Sequence, residues 1–310
     1  MVAKQQMRQQ QIQPQPQAPA QQYLQCGFMI MNKYRIQRLI GQGGFGQIYR
    51  AEDVRYHITV AIKIGVRSLE PARMILEQKV LRVLSNTKHS PILLASGSFG
   101  EFMYIVMELL GRNLMDLRRS RPLRYFSVGT TLRIGQQCTD ALHAIHRISF
   151  LHRDIKPSNI CIGSEGSKRR LLYVVDFGMV RQFRDANGAI RNERRYAGFR
   201  GTTRYVSITV HNRLEQGPVD DFWSLLYSLI EIGEGSLPWR FLTDPVEVLQ
   251  MKLKTRIEDM CRNLPSGIAD LADHFDELGY DELPDYQMIK TILQKHMPNE
   301  ITSDSPYDWE

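Results

Sequence analysis

The apolar residues of this 310-residue chain change their spacing once, near Gly111, and that change limits the folds open to it. Upstream, YRIQRLI from Tyr34 and ITVAIKIG from Ile58 are β-branched runs on either side of GQGGFGQIYRAED, which predicts a hairpin of strands joined at glycines. Leu76, Val80, Val83 and Leu84 then fall at i, i+4, i+7 and i+8, the spacing of one amphipathic helix, and Phe102 to Leu109 reads as a buried strand. Downstream, TTLRIGQQCTDALHAIHRISF, DDFWSLLYSLIEIGEG, PVEVLQMKLKTRIEDM and DYQMIKTILQKHM all carry helical periodicity, and the stretch between the first two, from His152 to Val210, is loop-rich. The order predicts an α+β fold of two lobes: a small β-rich lobe over about 32–110 with one main helix, and a larger, mainly helical lobe over about 111–310.

Residues 1–31 read as a Gln/Pro-rich disordered tail, with Pro14, Pro16 and Pro19 interleaved and little to bury. Elsewhere a hydrophobic content of 43% is enough for a substantial core. Cys26, Cys138, Cys161 and Cys261 lack metal-ligand spacing and are expected to be reduced thiols. The first residues form no apolar leader, and no run approaches the roughly 18 apolar residues of a membrane span, so a soluble, monomeric protein of the cytoplasm or nucleus is expected. A formal net charge of +7 favours anionic partners without naming one, and no motif that reads nucleic acid is present.

Gly41, Gly43 and Gly46 match G-x-G-x-x-G, a spacing that dinucleotide-binding folds share. Those folds run from a strand into a helix, whereas here Ile48 and Tyr49 continue extended, so the glycines are predicted to cover phosphates from a strand hairpin. Lys63 lies on an apolar strand, where a buried ammonium requires a partner. Glu77 on the next helix is the expected one; the competing Glu70 stands before Pro71, at or before the helix start.

LHRDIKPSNI supplies Asp154, Lys156 and Asn159, and VVDFG supplies Asp176 seventeen residues after Asn159. Phosphoryl transfer asks a protein for positioning and charge neutralisation more than for covalent chemistry. Asp154 can orient a substrate hydroxyl and accept its proton, Lys156 can meet the γ-phosphate, and Asn159 and Asp176 offer hard oxygen ligands to Mg²⁺. The set predicts ATP and Mg²⁺ as cofactors.

With these motifs, LLGRNLMDLRRS, RYAGFRGTTRYVSI, GSLPW, PDY and the final YDWE make the chain resemble the protein kinases, specifically the casein kinase 1 superfamily and most nearly its tau-tubulin kinase branch, from about Tyr34 to Glu310. The resemblance implies serine/threonine specificity through Lys156 with Gly201, Thr202 and Tyr205, the Thr202 hydroxyl bridging Asp154 and Lys156. It places Ile40, Gly41, Gln42, Gly43, Gly44, Phe45 and Gly46 over the nucleotide. Ile48 and Ala61 would be its roof, Met107 its gatekeeper, Glu108 to Leu110 its hinge and Cys161 its floor. Asp221 would hold the catalytic loop, with Trp223 as core beside it.

Where most kinases have Ala-Pro-Glu, this chain has Ser207, Ile208 and Thr209, which suggests a weaker anchor for the loop. That loop carries Arg181, Arg184, Arg191, Arg194, Arg195, Arg200 and Arg204 against Asp185 and Glu193. Guanidinium groups pair with carboxylate and phosphate, so a groove for acidic or phosphorylated protein substrates is expected, with Arg204, Arg195 and Gly235 as its anion pocket. By the same resemblance the pocket's lysine is replaced by Thr243, with Arg240 as a substitute. The alternative class is a nucleotide-binding pseudokinase scaffold, which requires a missing catalytic residue; none is missing.

Overall fold

The computed structural model describes residues 22–44 and 46–310, so the predicted tail over 1–21 and the loop residue Phe45 lie outside the described residues. Residues 22–31 correct the expected tail boundary. Leu24 and Ile30 are 3% and 0% exposed, and β1 (Met29–Ile30) pairs with β2 (Tyr34–Gly43), because this stretch brings apolar side chains that the Gln-rich composition ahead of it obscures. Folded chain therefore begins well ahead of position 32.

The small lobe is a six-stranded antiparallel sheet completed by β3 (Gly46–Asp53), β4 (Ile58–Val66), β5 (Leu93–Phe99) and β6 (Phe102–Glu108), in the order β1-β2-β3-β4-β6-β5. Burial alternates along β3, as expected of a strand with one covered face, while β4 in the middle of the sheet is buried almost throughout. Between β4 and β5 runs α1 (Pro71–Leu84), which starts at a proline, a residue whose missing N–H is no loss at that position. Its inner face is Met74, Glu77, Val80, Leu81 and Leu84. Val83, predicted on that face, is 53% exposed, since the stripe that starts at Met74 passes through Leu81 instead.

The large lobe contains α2 (Leu114–Arg119), α3 (Val128–Arg147), α4 (Ile208–His211), α5 (Pro218–Glu234), α6 (Pro245–Lys254), α7 (Ile257–Met260), α8 (Asp270–Asp276) and α9 (Tyr286–Lys295). Asn113, Ser127, Ser207, Asp244 and Asp285 cap α2, α3, α4, α6 and α9 by accepting a backbone N–H that the helix leaves unpaired. The single helix read over PVEVLQMKLKTRIEDM is two, α6 and α7, because Thr255 is extended at φ −106° and ψ 119°. Short pairs β7 (Phe150–Leu151) with β10 (Arg181–Gln182), and β8 (Ile160–Ile162) with β9 (Leu172–Val174), frame the loop-rich stretch.

Two apolar clusters form the core. One covers the outer face of the sheet and includes Leu24, Ile30, Tyr49, Val60 and Ile62. The other runs from Met74, Val80, Leu81 and Leu84 of α1 through Phe177 into α3, α5 and α9 of the large lobe. Helix α1 thus shares its core with the large lobe, so the position of Glu77 is tied to packing across the cleft. Among the described residues, no helix is long and apolar enough to cross a membrane.

Candidate active site

The cleft between the lobes holds about 660 Å³. Ile40, Gly41, Gln42, Gly43, Gly46, Ile48, Ala61, Lys63, Glu77, Met107, Glu108, Leu110, Lys156, Asn159, Cys161 and Asp176 all line it. Gly44 lines a neighbouring pocket instead, with Tyr23, Gly65 and Met74. At the tip of the β2–β3 hairpin Gly43 pairs with Gly46. Gly46 has φ +132°, and a Cβ there would stand 2.1 Å from the Ile64 carbonyl oxygen, so only glycine fits.

Lys63, on buried β4, donates to both oxygens of Glu77 at 2.9 and 2.7 Å and to Oδ1 of Asp176 at 2.8 Å. Burial alone would drive the ammonium toward its neutral form, but the two carboxylates reverse that and raise its pKa above the ordinary lysine value. Burial also opposes ionisation of Asp176, yet Lys63 more than offsets it and holds the carboxyl below its usual range. Glu70 stands outside this group, paired with Arg73 at 2.8 Å. The choice of Glu77 over Glu70 follows from helix α1 starting after Glu70.

The segment that carries Asp154, Lys156 and Asn159 hangs from α5. Asp221, 2% exposed, accepts the backbone N–H of His152 and of Arg153, both at 2.7 Å. Its partner Trp223 is only partly buried. Arg153 and Asp176 take φ of 65° and 68°, a left-handed region that non-glycine residues rarely occupy, and Arg153 stands directly before Asp154. Asp154 Oδ1 accepts the Thr202 hydroxyl at 2.7 Å. Lys156 Nζ donates to Asp154 Oδ2 at 2.8 Å and to Thr202 Oγ1 at 3.0 Å, closing a three-membered set from segments far apart in sequence. Gly201, at φ +118°, admits the tight approach: a Cβ there would lie 2.8 Å from the Arg153 carbonyl oxygen.

The donor set fits a magnesium ion. The Asn159 amide nitrogen donates to Asp154, at 2.9 Å to its carbonyl and 3.2 Å to Oδ2, which leaves the amide oxygen as a free ligand. Asp176 uses only Oδ1 on Lys63. No cluster of three or more His, Cys, Asp or Glu suited to a metal exists among the described residues. Magnesium suits such a sparse site, because it keeps water and phosphate oxygens in its shell.

Sequence reasoning missed several residues of this cleft. Arg38 and Arg50 are cross-strand partners at its edge, and Asp116, Val175 and Phe177 line it too. Paired cations flanking a glycine loop were the available signal for the first two. The Cys161 thiol is pushed up to about 12 by burial, with Asp116 adding to the effect, so it is a neutral wall atom.

The arginine-rich loop is less free than its composition implied. Glu215, 1% exposed, accepts from Arg194, with the Nη2 bond at 2.9 Å, and from Arg181 at 3.1 Å. Burial opposes ionisation of Glu215, but these guanidinium groups bring its pKa below the usual carboxylate value. Nothing in the sequence marked this acid. Arg204 donates to buried Glu231 at 3.0 Å and to the Arg240 carbonyl at 2.9 Å, and Glu231 also receives the Tyr205 hydroxyl. Arg118 donates to the Gly235 carbonyl and lies 3.8 Å from Glu231, so Arg118 links Gly235 to the carboxylate that holds Arg204, while Arg195 is exposed. Thr243 is exposed, and the Arg240 guanidinium sits over the Phe241 ring at 4.1 Å. Two residues before Thr209, the position of the missing acid, the Ser207 hydroxyl donates to buried Asp220.

Residues 34–303 match the protein kinase domain. A Dictyostelium discoideum protein provisionally named a serine/threonine-protein kinase is 38% identical over 286 residues, 92% of this chain. A Caenorhabditis elegans protein provisionally named a casein kinase I is 38% identical over 294 residues, also 92% of the chain. The chain spans 58% of the length of the first relative and 85% of the second.

Proposed function

The chain belongs to the protein kinase family, and on that premise we propose that it transfers the γ-phosphate of ATP to serine and threonine hydroxyls of proteins, with Mg²⁺, as an enzyme of casein kinase 1 type nearest the tau-tubulin kinase branch. The observation that carries the reading is the Asp154, Lys156 and Thr202 set. Asp154 Oδ2 accepts from Lys156 and Asn159, while Oδ1 accepts only from Thr202 and keeps a further acceptor site, so the carboxylate can orient a hydroxyl and take its proton. Lys156 has three N–H donors and spends two on Asp154 and Thr202, which leaves the third for the γ-phosphate. Lys63, held by Glu77, orients the α- and β-phosphates, and the glycine loop supplies backbone N–H groups above them. Bound magnesium, held by Asn159 and Asp176, would neutralise charge on the phosphates.

Labelled ATP with casein tests this. Mg²⁺-dependent transfer is expected from the purified protein and is expected to be lost in Asp154→Asn and Asp176→Ala. Transfer that survives both changes would falsify the assignment.

The preference for acidic or phosphorylated segments is supported by the exposed cations Arg195 and Arg200 and by the part of Arg204 not turned toward Glu231, whose side chain keeps 35% exposure. A peptide series with phosphoserine N-terminal to the target is expected to react faster than the unphosphorylated series, and equal rates would remove the preference.

A further inference from the structure

The stretch from Thr202 to Ser207 connects the catalytic set to the N-cap of α4, and its course fixes where Thr202 meets Asp154. It has little internal structure: the Tyr205 and Val206 amides return to the Thr202 carbonyl at 2.8 and 3.1 Å, and the Thr203, Arg204 and Val206 carbonyls meet the large lobe. Side chains from below satisfy them. Trp239 Nε1 donates to the Arg204 carbonyl at 2.9 Å, and Lys252 Nζ donates to the Thr203 carbonyl at 3.2 Å and to the Val206 carbonyl.

Lys252 is an unusual choice for that place. It projects from α6, is 4% exposed, and lies over the rings of Tyr227 and Trp239, at 4.6 and 5.3 Å from their centroids. Among the described residues no carboxylate forms an ion pair with it, and burial pushes its pKa down to about 7. His211 of α4, on which its charge acts, is itself pushed down to about 4, mainly by burial and then by Lys252. A methionine would fill the same space without the desolvation cost. An amine kept there against that cost is held for its bonds, and those bonds go to the backbone on either side of Tyr205.

We propose that Lys252 is a positioning residue which fixes the Thr203–Val206 turn from below, and through it the placement of Thr202 and of the substrate hydroxyl against Asp154. It does from α6 what a carboxylate at Thr209 does not do in this chain. The proposal rests on the serine/threonine kinase reading above.

The test compares Lys252→Met and Lys252→Arg with the wild type in the full chain. Because the lysine is buried without a counter-ion, Lys252→Met is expected to melt no lower than the wild type. Its KM for a peptide substrate is expected to rise about tenfold or more while KM for ATP stays within about twofold, and Lys252→Arg is expected to recover part of the loss. Hydrogen exchange at the Tyr205 and Val206 amides, measured without nucleotide, is expected to be faster in Lys252→Met. Failure of Lys252→Met to fold, or equal losses toward ATP and peptide, would assign the lysine a purely structural role and overturn the proposal, as would unchanged exchange. If the wild type transfers no phosphate at all, the kinase reading fails by itself, and the exchange measurement still decides whether Lys252 holds the turn.

Discussion

Thr202 donates its hydroxyl hydrogen to Oδ1 of Asp154 at 2.7 Å, across 48 residues of chain. The bond reaches a carboxylate from a neutral donor, and Lys156 completes the triangle, so all three side chains are fixed by one another. Thr202→Val keeps the shape and removes the donor. Hydrogen bonds to charged groups contribute about 1.5–3 kcal/mol, so kcat should fall by about 10- to 100-fold. Thr202→Ser should retain most of the activity, and steady-state kinetics with ATP saturating would read both.

Lys63 sits between Glu77 and Asp176 with almost no exposure. In Lys63→Met two carboxylates face each other in a buried site, and loss of one partner from a buried pair costs about 3–5 kcal/mol. A lower melting temperature and loss of nucleotide-induced stabilisation are expected. Adding Glu77→Gln should return part of the melting temperature; a double variant as unstable as the two losses summed would show that the residues are uncoupled.

Glu215 draws Arg181 and Arg194 onto one buried carboxylate, which holds the arginine-rich loop. In Glu215→Gln the loop should loosen, with faster tryptic cleavage between 181 and 204 and an activity loss on the order of tenfold, the size of one charge-assisted bond. Treatment of the wild type with a phosphatase should leave its activity intact. Activity that disappears on that treatment would show that a phosphate, and not Glu215, orders the loop.

Asp220 is buried, and its pKa is pushed up to about 6, mainly by burial, although Ser207 and the Gly217 amide favour the charged form. The folded value lies above the ordinary 3.8, so the stabilising contribution is complete below about pH 4 and is lost as pH rises through about 6. The shift corresponds to up to about 3 kcal/mol. Melting curves between pH 4 and 7 should therefore show a declining component in the wild type that Asp220→Asn lacks. Parallel curves for the two proteins would remove Asp220 as its source.

Much of the site could be read in advance because phosphoryl transfer fixes residue type and order. Asp154, Lys156, Asn159 and Asp176 are marked by short-range spacing, and a lysine on an apolar strand announces that it needs an acid. The change of hydrophobic period near Gly111 likewise separates the strand-rich lobe from the helical one. Val83 and the start of the fold were misread for a common reason. Local pattern does not say which face of a short helix meets another element, or which few apolar residues after a polar tail find a groove.

The arginine-rich loop marks the limit most clearly. Seven arginines in one segment suggested a surface waiting for an anion, since charge is counted along the chain while its neutralisation occurs in space. Glu215 and Glu231 lie beyond the segment and carry no motif, yet each collects two guanidinium groups within 4 Å. The same holds for Lys252, which reads as an ordinary charged position of α6 until packing puts it under two rings and two carbonyls. By itself the sequence determined the lobes and the order of the candidate site residues, because backbone periodicity and chemical type are local properties. Only the tertiary structure decided which charges are spent inside the protein and which face a substrate, because electrostatic energy depends on distance and burial, and those exist only once the chain is folded.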